Sequence, residues 1–298
     1  MEDIEKKTPP TESVPSIQYD LFSRFLSNDE KNISNTVELW ECIPKYFFTK
    51  KKCEELRTPS GHADPFRWEY FYKNTAFTIK IQPALIEGDD GKYKSYFPGA
   101  TEELIEEILK KILSNQNYGI HDPKNEETWV KFSLSMIHRE LKSMGRERNR
   151  DQIKHAIEVM SSCILTLYKE GKEIWKGSII QDLVTVGRKK YLANTDSQHI
   201  ARLPLFISHS INQLEYRQFN YGRLMSCDEQ LTRWIYKQLI HRYKQANVLN
   251  TYHFMYSDIL RDSGLLQQAT ENRNREKLVS SWPNVYVESL FGQDRWES

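Results

Sequence analysis

Two stretches constrain this chain more than any other feature. "RNRDQIKHAI" begins at Arg148 and "RNREKLVSSW" begins at Arg273. Both join Arg-Asn-Arg to an acidic residue, a polar residue and an aliphatic one, and both follow the same order of predicted elements. Before the first comes "TEELIEEILKKILSN" (101–115), a helix capped by Thr101. Glu102 and Glu103 lie at its positive end and Lys110 and Lys111 toward its negative end; Leu104, Ile105, Ile108, Leu109 and Ile112 form its apolar stripe. A short strand over Trp129–Ser133 follows, then a helix with Ile137, Leu141 and Met144 inward, ended by Gly145. The next helix starts near Asp151 and buries Ile153, Ala156, Ile157 and Met160, and a hairpin turning at Gly171 closes the unit.

The second series runs alike. A helix in 228–246 turns Leu231, Trp234, Ile235 and Leu239 inward, and "TYHFMY" is a strand. A helix capped by Ser257 ends near Gly264, the Arg273 helix follows, and Asn284–Phe291 is a strand with no clear return strand. Helix, strand, helix pair and hairpin are the order of a helix-turn-helix with a β-wing, and its recurrence predicts a duplicated unit. The expected fold is α+β: two winged-helix domains in tandem behind a disordered N-terminal tail. Residues 1–35 are a flexible segment with a short amphipathic helix at 17–27. Residues 36–205 form the first winged-helix domain, with an added N-terminal β-hairpin, and 206–298 form the second. The added part is read from the aromatic, β-branched strand signature of "RWEYFYKNTAFTIKIQPALI", an Asp89-Asp90-Gly91 turn and a returning strand.

The 298 residues carry a net charge of +1, which hides an asymmetry. Residues 1–127 hold 17 Lys+Arg against 23 Asp+Glu, and 128–298 hold 25 against 18. A polyanion meets the basic part, not the average. No apolar run is long enough to cross a membrane and no signal-peptide core opens the chain. Cys42, Cys53, Cys163 and Cys227 are scattered without a Cys-x-x-Cys pair, which is expected of reduced thiols in a cytoplasmic protein without a metal site.

Enzymatic signatures are sparse. The chain has no phosphate-cradling G-x-x-x-x-G-K-[ST] loop, G-x-S-x-G elbow or H-E-x-x-H helix. Tyr168 and Lys172 form a Tyr-x-x-x-Lys of the kind some DNA-nicking enzymes use, but such enzymes also cluster metal-binding histidines, and here the motif straddles a turn. The expectation is no catalytic residue, no metal and no cofactor. Nucleic-acid binding fits better. Arg148, Asn149, Arg150, Gln152 and Lys154 surround a helix start, where arginine pairs with guanine or phosphate, and Asn149 and Gln152 with adenine. Arg273, Asn274, Arg275 and Lys277 are their counterparts, and Asn274 is the second unit's adenine reader. Cations at a helix N-terminus oppose its dipole by about 0.3–1 kcal/mol each, so stability gives little reason to place them there. Either stretch alone is equally an ordinary solvated surface. Arg188, Lys189 and Lys190 form a third basic group, suited to phosphate contact beside a wing. In "EYRQFNYGRLM", Tyr216, Phe219 and Tyr221 interleave with Arg217 and Arg223, a pattern expected of aromatics packed into a domain junction ahead of a base-stacking surface.

Six stretches in this order, "YKNTAFTIKIQPALI", "YFPGATEELIEEILKKI", "FSLSMIHRELKSMGRERNRDQIKHAIEVMSSCILTLY", "LEYRQFNYGRLMS", "LTRWIYKQLIHRY" and "YSDILRDSGLL", resemble the plasmid-encoded RepA-type replication initiators of Gram-negative bacteria. The resemblance runs from about Phe66 to Trp282. It implies two winged-helix domains, binding to repeats in double-stranded plasmid origin DNA, origin opening, and recruitment of the host initiator and replicative helicase. It also implies a homodimer in exchange with monomer. The alternatives are a winged-helix repressor acting on an operator, and a nicking or priming enzyme.

Overall fold

A computed structural model describes residues 33–88, 90–115, 118–186, 198–243 and 252–281. The expected helix at 17–27, the strand at 284–291 and the basic group Arg188, Lys189 and Lys190 lie outside these residues.

The chain enters through β1 (Ile33–Thr36), α1 (Glu38–Glu41) and α2 (Lys50–Leu56). The aromatic stretch that reads as continuous is broken into β2 (Phe66–Tyr72) and β3 (Thr75–Gln82). Lys73 and Asn74 turn the chain with φ of 46° and 61°. Two successive positive φ angles make the hairpin turn whose twist matches that of its strands. β4 (Ala84–Glu87) and β5 (Tyr93–Tyr96) then pair around Gly91, which has φ +70°.

Next come α3 (Ala100–Leu113), β6 (Gly119–Asp122), β7 (Glu127–Ser133), α4 (Leu134–Ser143) and α5 (Arg150–Ser162). α3 is capped at Gly99 and not by Thr101: the Glu102 carboxylate reaches back to accept the Gly99 N–H at 2.7 Å, the half of a capping box that a glycine N-cap allows. α4 starts on the Ser133 hydroxyl and ends as expected at Gly145, where φ is +68°. The Arg146 N–H donates to the Leu141 carbonyl and Gly145 N–H to that of Lys142, a left-handed helix stop that only a residue without Cβ adopts at little cost.

The expected wing is the main topological correction. β8 (Ile164–Lys169) and β9 (Lys172–Ser178) do form a hairpin at Gly171, but it is part of a four-stranded sheet in the order β2-β3-β8-β9. The reason is apolar area: Ile79 and Ile81 on β3, and Leu165 and Leu167 on β8, are at most 2% exposed, and a wing standing in solvent would leave that face wet. β7, which leads into the helix pair, instead pairs with β11 (Gln198–Arg202), and β11 with β10 (Asp182–Val186), in the order β10-β11-β7-β6.

The remaining elements are α6 (Leu205–Asn212), β12 (Arg217–Asn220), α7 (Tyr221–Ser226), α8 (Gln230–Arg242), α9 (Tyr256–Ser263) and α10 (Glu271–Ser281). β12 pairs with β1, and Phe219 and Tyr221 are buried in the large core, as packed aromatics should be. That core extends past residue 205 through Ile207, Ile211, Leu224, Tyr236 and Ile240. A smaller core of Leu231, Trp234, Ile235, Ile259 and Leu266 serves α8, α9 and α10. Two expectations for this part fail. Residues 252–255 form no strand, and Phe254 packs on the small core instead. The cap of α9 is Met255, with Ser257 inside the helix, although Gly264 ends it with φ +64°.

Candidate nucleic-acid interface

The start of α5 is built from its own side chains. Asn149 is the N-cap; its Oδ1 accepts the Gln152 N–H at 2.8 Å, and Gln152 Oε1 accepts the Asn149 N–H at 3.0 Å. The two expected adenine readers are thus a reciprocal capping box, with both carbonyl oxygens occupied by backbone. The Arg148 carbonyl accepts from His138 Nδ1 at 2.7 Å, tying the turn to α4. Arg150 donates to the Ser135 hydroxyl at 2.7 Å and so lies back along α4. Arg150 and Lys154 are exposed and Arg148 is half-buried, while Ile153, Ala156, Ile157 and Met160 on the opposite face are at most 4% exposed. α5 is therefore held by its apolar face and presents a cationic start outward. Glu147 lies among these cations, 3.4 Å from Lys142 and 3.7 Å from His138.

Arg146, which the sequence reading passed over, braces this turn from behind. Its guanidinium donates to the carbonyls of Met225, Cys227 and Asp228, the connection between α7 and α8. Three neutral acceptors hold it with the Asp228 carboxylate 3.3 Å away. A basic residue two positions before Arg148 is thus structural.

The second Arg-Asn-Arg is not equivalent to the first. α10 begins at Glu271, so Arg273 stands a turn further into its helix than Arg148 does. Asn274 is 7% exposed and its Oδ1 accepts the Gln268 N–H at 2.9 Å, so it faces inward. Arg275 pairs with Glu271 and lies 4.5 Å from the Tyr256 ring. Lys277 donates to the Leu265 carbonyl at 2.8 Å, and burial lowers its pKa. Of the four, Arg273 alone is exposed without an ion pair among the described residues.

What joins the two parts of the chain is a buried ion network that the sequence reading missed. Arg233 and Lys237 are one turn apart on α8; Glu103 and Glu107 are one turn apart on α3. Arg233 meets Glu103 at 2.8 Å, and Lys237 meets Glu41, Glu107 and Glu103 at 2.9, 3.1 and 3.5 Å. Lys110 pairs with Glu107 at 2.8 Å and also with Glu41, while Lys45 lies 3.9 Å from Glu106. Four acids face four bases, each at most 5% exposed on its side chain. Burial pushes the Glu41 carboxyl up, but Lys110, Lys237 and Lys45 outweigh it and hold it well below the usual range. Glu103 is likewise lowered, burial being overcome by Arg233 and Lys237. The carboxylates of Glu41, Glu106 and Glu107 lie close enough to share a cation, but ammonium groups already neutralise them. The only hint in the sequence is the matching spacing of two acidic and two basic residues on separate helices.

α9 completes the junction. Trp68 on β2 donates to the Arg261 carbonyl at 2.7 Å, and the Phe71 N–H donates to Asp262 at 2.9 Å, so α9 covers the open edge of the β2 sheet. Gly264 packs directly on the Phe47 ring. Tyr168 sits within β8, its ring 5.5 Å from the Arg67 guanidinium. Among the described residues no helix is long and apolar enough to cross a membrane.

No family model and no curated protein matches this chain. Among solved structures it is similar to two crystal structures of domains 2 and 3 of RctB. One has a TM-score of 0.48 at 10% identity and the other 0.46 at 11%; each overlap covers 76% of this chain and 79% of the other. At that level of overlap no residue's role is carried across.

Proposed function

We propose that this chain is a replication initiator of the plasmid RepA type that binds double-stranded origin DNA and makes or breaks no bond itself. In this reading residues 100–202 are a winged-helix module. α3 supports it, α4 and α5 are the helix-turn-helix, and β10 and β11 are the wing. β8–β9 is then a hairpin inserted between recognition helix and wing. The segment 187–197, with Arg188, Lys189 and Lys190, joins the two wing strands in sequence and supplies wing contacts to phosphate. One observation carries the reading: the outward cationic start of α5 on a helix whose other face is locked in the core. Arg148, Arg150 and Lys154 contact phosphate or guanine, while Asn149 and Gln152 shape the helix start. The series of RepA-like motifs supports origin DNA as the target and, by resemblance, the host initiator, the helicase and a second copy as partners.

Changing Arg148 and Arg150 together to Ala is expected to weaken duplex origin binding and to lower the salt slope by about one unit per lost cation. The change in stability should stay within about 1 kcal/mol, because Arg150 is exposed and Arg148 half-buried, and neither lies in the core. A gel shift across a salt series beside a circular dichroism melt measures both, and unchanged DNA affinity refutes the assignment. A footprint on DNA flanking the gene separates the readings: regularly spaced protected repeats belong to an initiator and one isolated site to a repressor. Strand cleavage abolished in a Tyr168→Phe variant would replace both with the nicking enzyme.

A further inference from the structure

A cleft of about 550 Å³ opens where the N-terminal part of the chain meets α8 and α10. That volume suits a small molecule and is too narrow for a duplex. Lys51 and Lys52 come from α2, and Arg273 and Lys277 from α10, residues more than two hundred positions apart that only the fold brings together. Two carboxylates share the walls. Glu229 is engaged, accepting from the Ser281 hydroxyl. Glu55 lies 3.9 Å from both Lys51 and Lys52, at exposed contacts that offset little charge. Half-buried Leu265 gives the cleft an apolar wall over a floor of Phe47 and Leu231, which are 4% and 1% exposed; Gln268 is exposed beside it, while the Gln267 Nε2 donates to the Gly264 carbonyl.

Lys51, Lys52 and Arg273 converge on one concavity and repel each other, and the packing of the junction does not need them there, whereas Lys277 is already engaged by the Leu265 carbonyl. The junction's ion pairing is complete in the buried network formed by Glu41, Glu103, Glu107, Lys110, Arg233 and Lys237. An apolar wall beside a cationic one, with an amide at the edge, matches a ligand that is a flat heterocycle at one end and a polyanion at the other. We propose that this cleft binds a nucleoside phosphate. Its phosphates lie on Lys51, Lys52 and Arg273, and its base lies against Leu265 beside the Gln268 amide, which has the donor and acceptor to pair with a purine edge. Because its walls come from both parts of the chain, an occupied cleft also fastens the junction. The proposal does not rest on DNA binding.

The test is a titration of the full chain with ATP in the absence of DNA, followed by calorimetry and by thermal melting. Saturable binding with a raised melting temperature is expected. Arg273→Gln and Lys52→Gln should each weaken it about tenfold, the worth of one charged hydrogen bond, without changing the ligand-free melt of these surface sites. Tripolyphosphate should bind more weakly than ATP. Absence of binding at millimolar ATP, or wild-type affinity in both variants, overturns the site. Tripolyphosphate binding as tightly as ATP overturns the nucleoside assignment.

Discussion

Removing the Lys237 ammonium is the sharpest test of how the chain is held together. Lys237→Met keeps the length and apolar stem of the side chain and deletes one charge. Its Nζ lies 2.9 Å from Glu41, 3.1 Å from Glu107 and 3.5 Å from Glu103, and the site is sealed from water. With four acids then facing three bases, one carboxylate is left buried without compensation. Breaking a buried pair in this way costs about 3–5 kcal/mol. A second estimate comes from protonation: giving one carboxyl of ordinary pKa a proton at neutral pH costs about 3.7 kcal/mol. The two agree, so the variant should lose about 3–4 kcal/mol at neutral pH. The second route also predicts a pH signature, since the penalty shrinks by about 1.4 kcal/mol for each unit the pH falls toward the carboxyl pKa. Adding Glu107→Gln restores the balance of charges and should recover most of the loss. Glu107 is the partner to change because its Oε1 accepts from both Lys237 and Lys110, and Lys110 keeps Glu41 as its partner. Urea melts at neutral and mildly acidic pH, followed by tryptophan fluorescence and circular dichroism, measure all three proteins. A Lys237→Met loss below about 1 kcal/mol, or a double variant no more stable than the single, would refute a network held together by charge balance.

Three other outcomes follow from single sites. His241 is 2% exposed beside Thr36, and burial pushes its pKa down to about 4, with Arg217, Lys110 and Lys237 adding to the effect and Glu41 opposing it. The unfolded chain therefore binds the proton first, so stability present above about pH 6.5 falls by up to about 3 kcal/mol as the pH drops to about 4. His241→Gln should flatten that slope in urea melts, and an unchanged slope removes His241 as its source; Glu41 and Glu103, with lowered pKa values, contribute a loss only as the pH falls into and below the ordinary carboxylate range. Gly264→Ala places a Cβ 2.8 Å from the Phe47 ring at φ +64°, and the backbone strain plus the overlap should cost about 2–4 kcal/mol, partly regained with Phe47→Leu. A thermal melt that does not move would show that the α9–Phe47 contact is loose. Asn149→Ala should cost about 0.5–2 kcal/mol of stability and leave base preference intact, because the side chain caps α5; a changed preference without a change in stability would restore it as a base reader.

The sequence by itself determined the local elements, because their causes are local. The α3 stripe, Gly145 and Gly264 as helix stops, the hairpin at Gly171 and the start of α5 are all set by side-chain periodicity and backbone preference within a few residues. Only the tertiary structure decided which strands pair and which charges are buried, since both depend on neighbours far along the chain. β8–β9 reads as a wing in isolation, yet Leu165 and Leu167 find Ile79 and Ile81 across a sheet. The same Arg-Asn-Arg leads into α5 at Arg148 and sits inside α10 at Arg273, because Thr270 and Glu271 had already started the second helix. Glu103, Glu107, Arg233 and Lys237 look like solvated helix faces one at a time. They become the core of the junction only because α3 and α8 lie side by side, and lacking water there each charge depends on its partner.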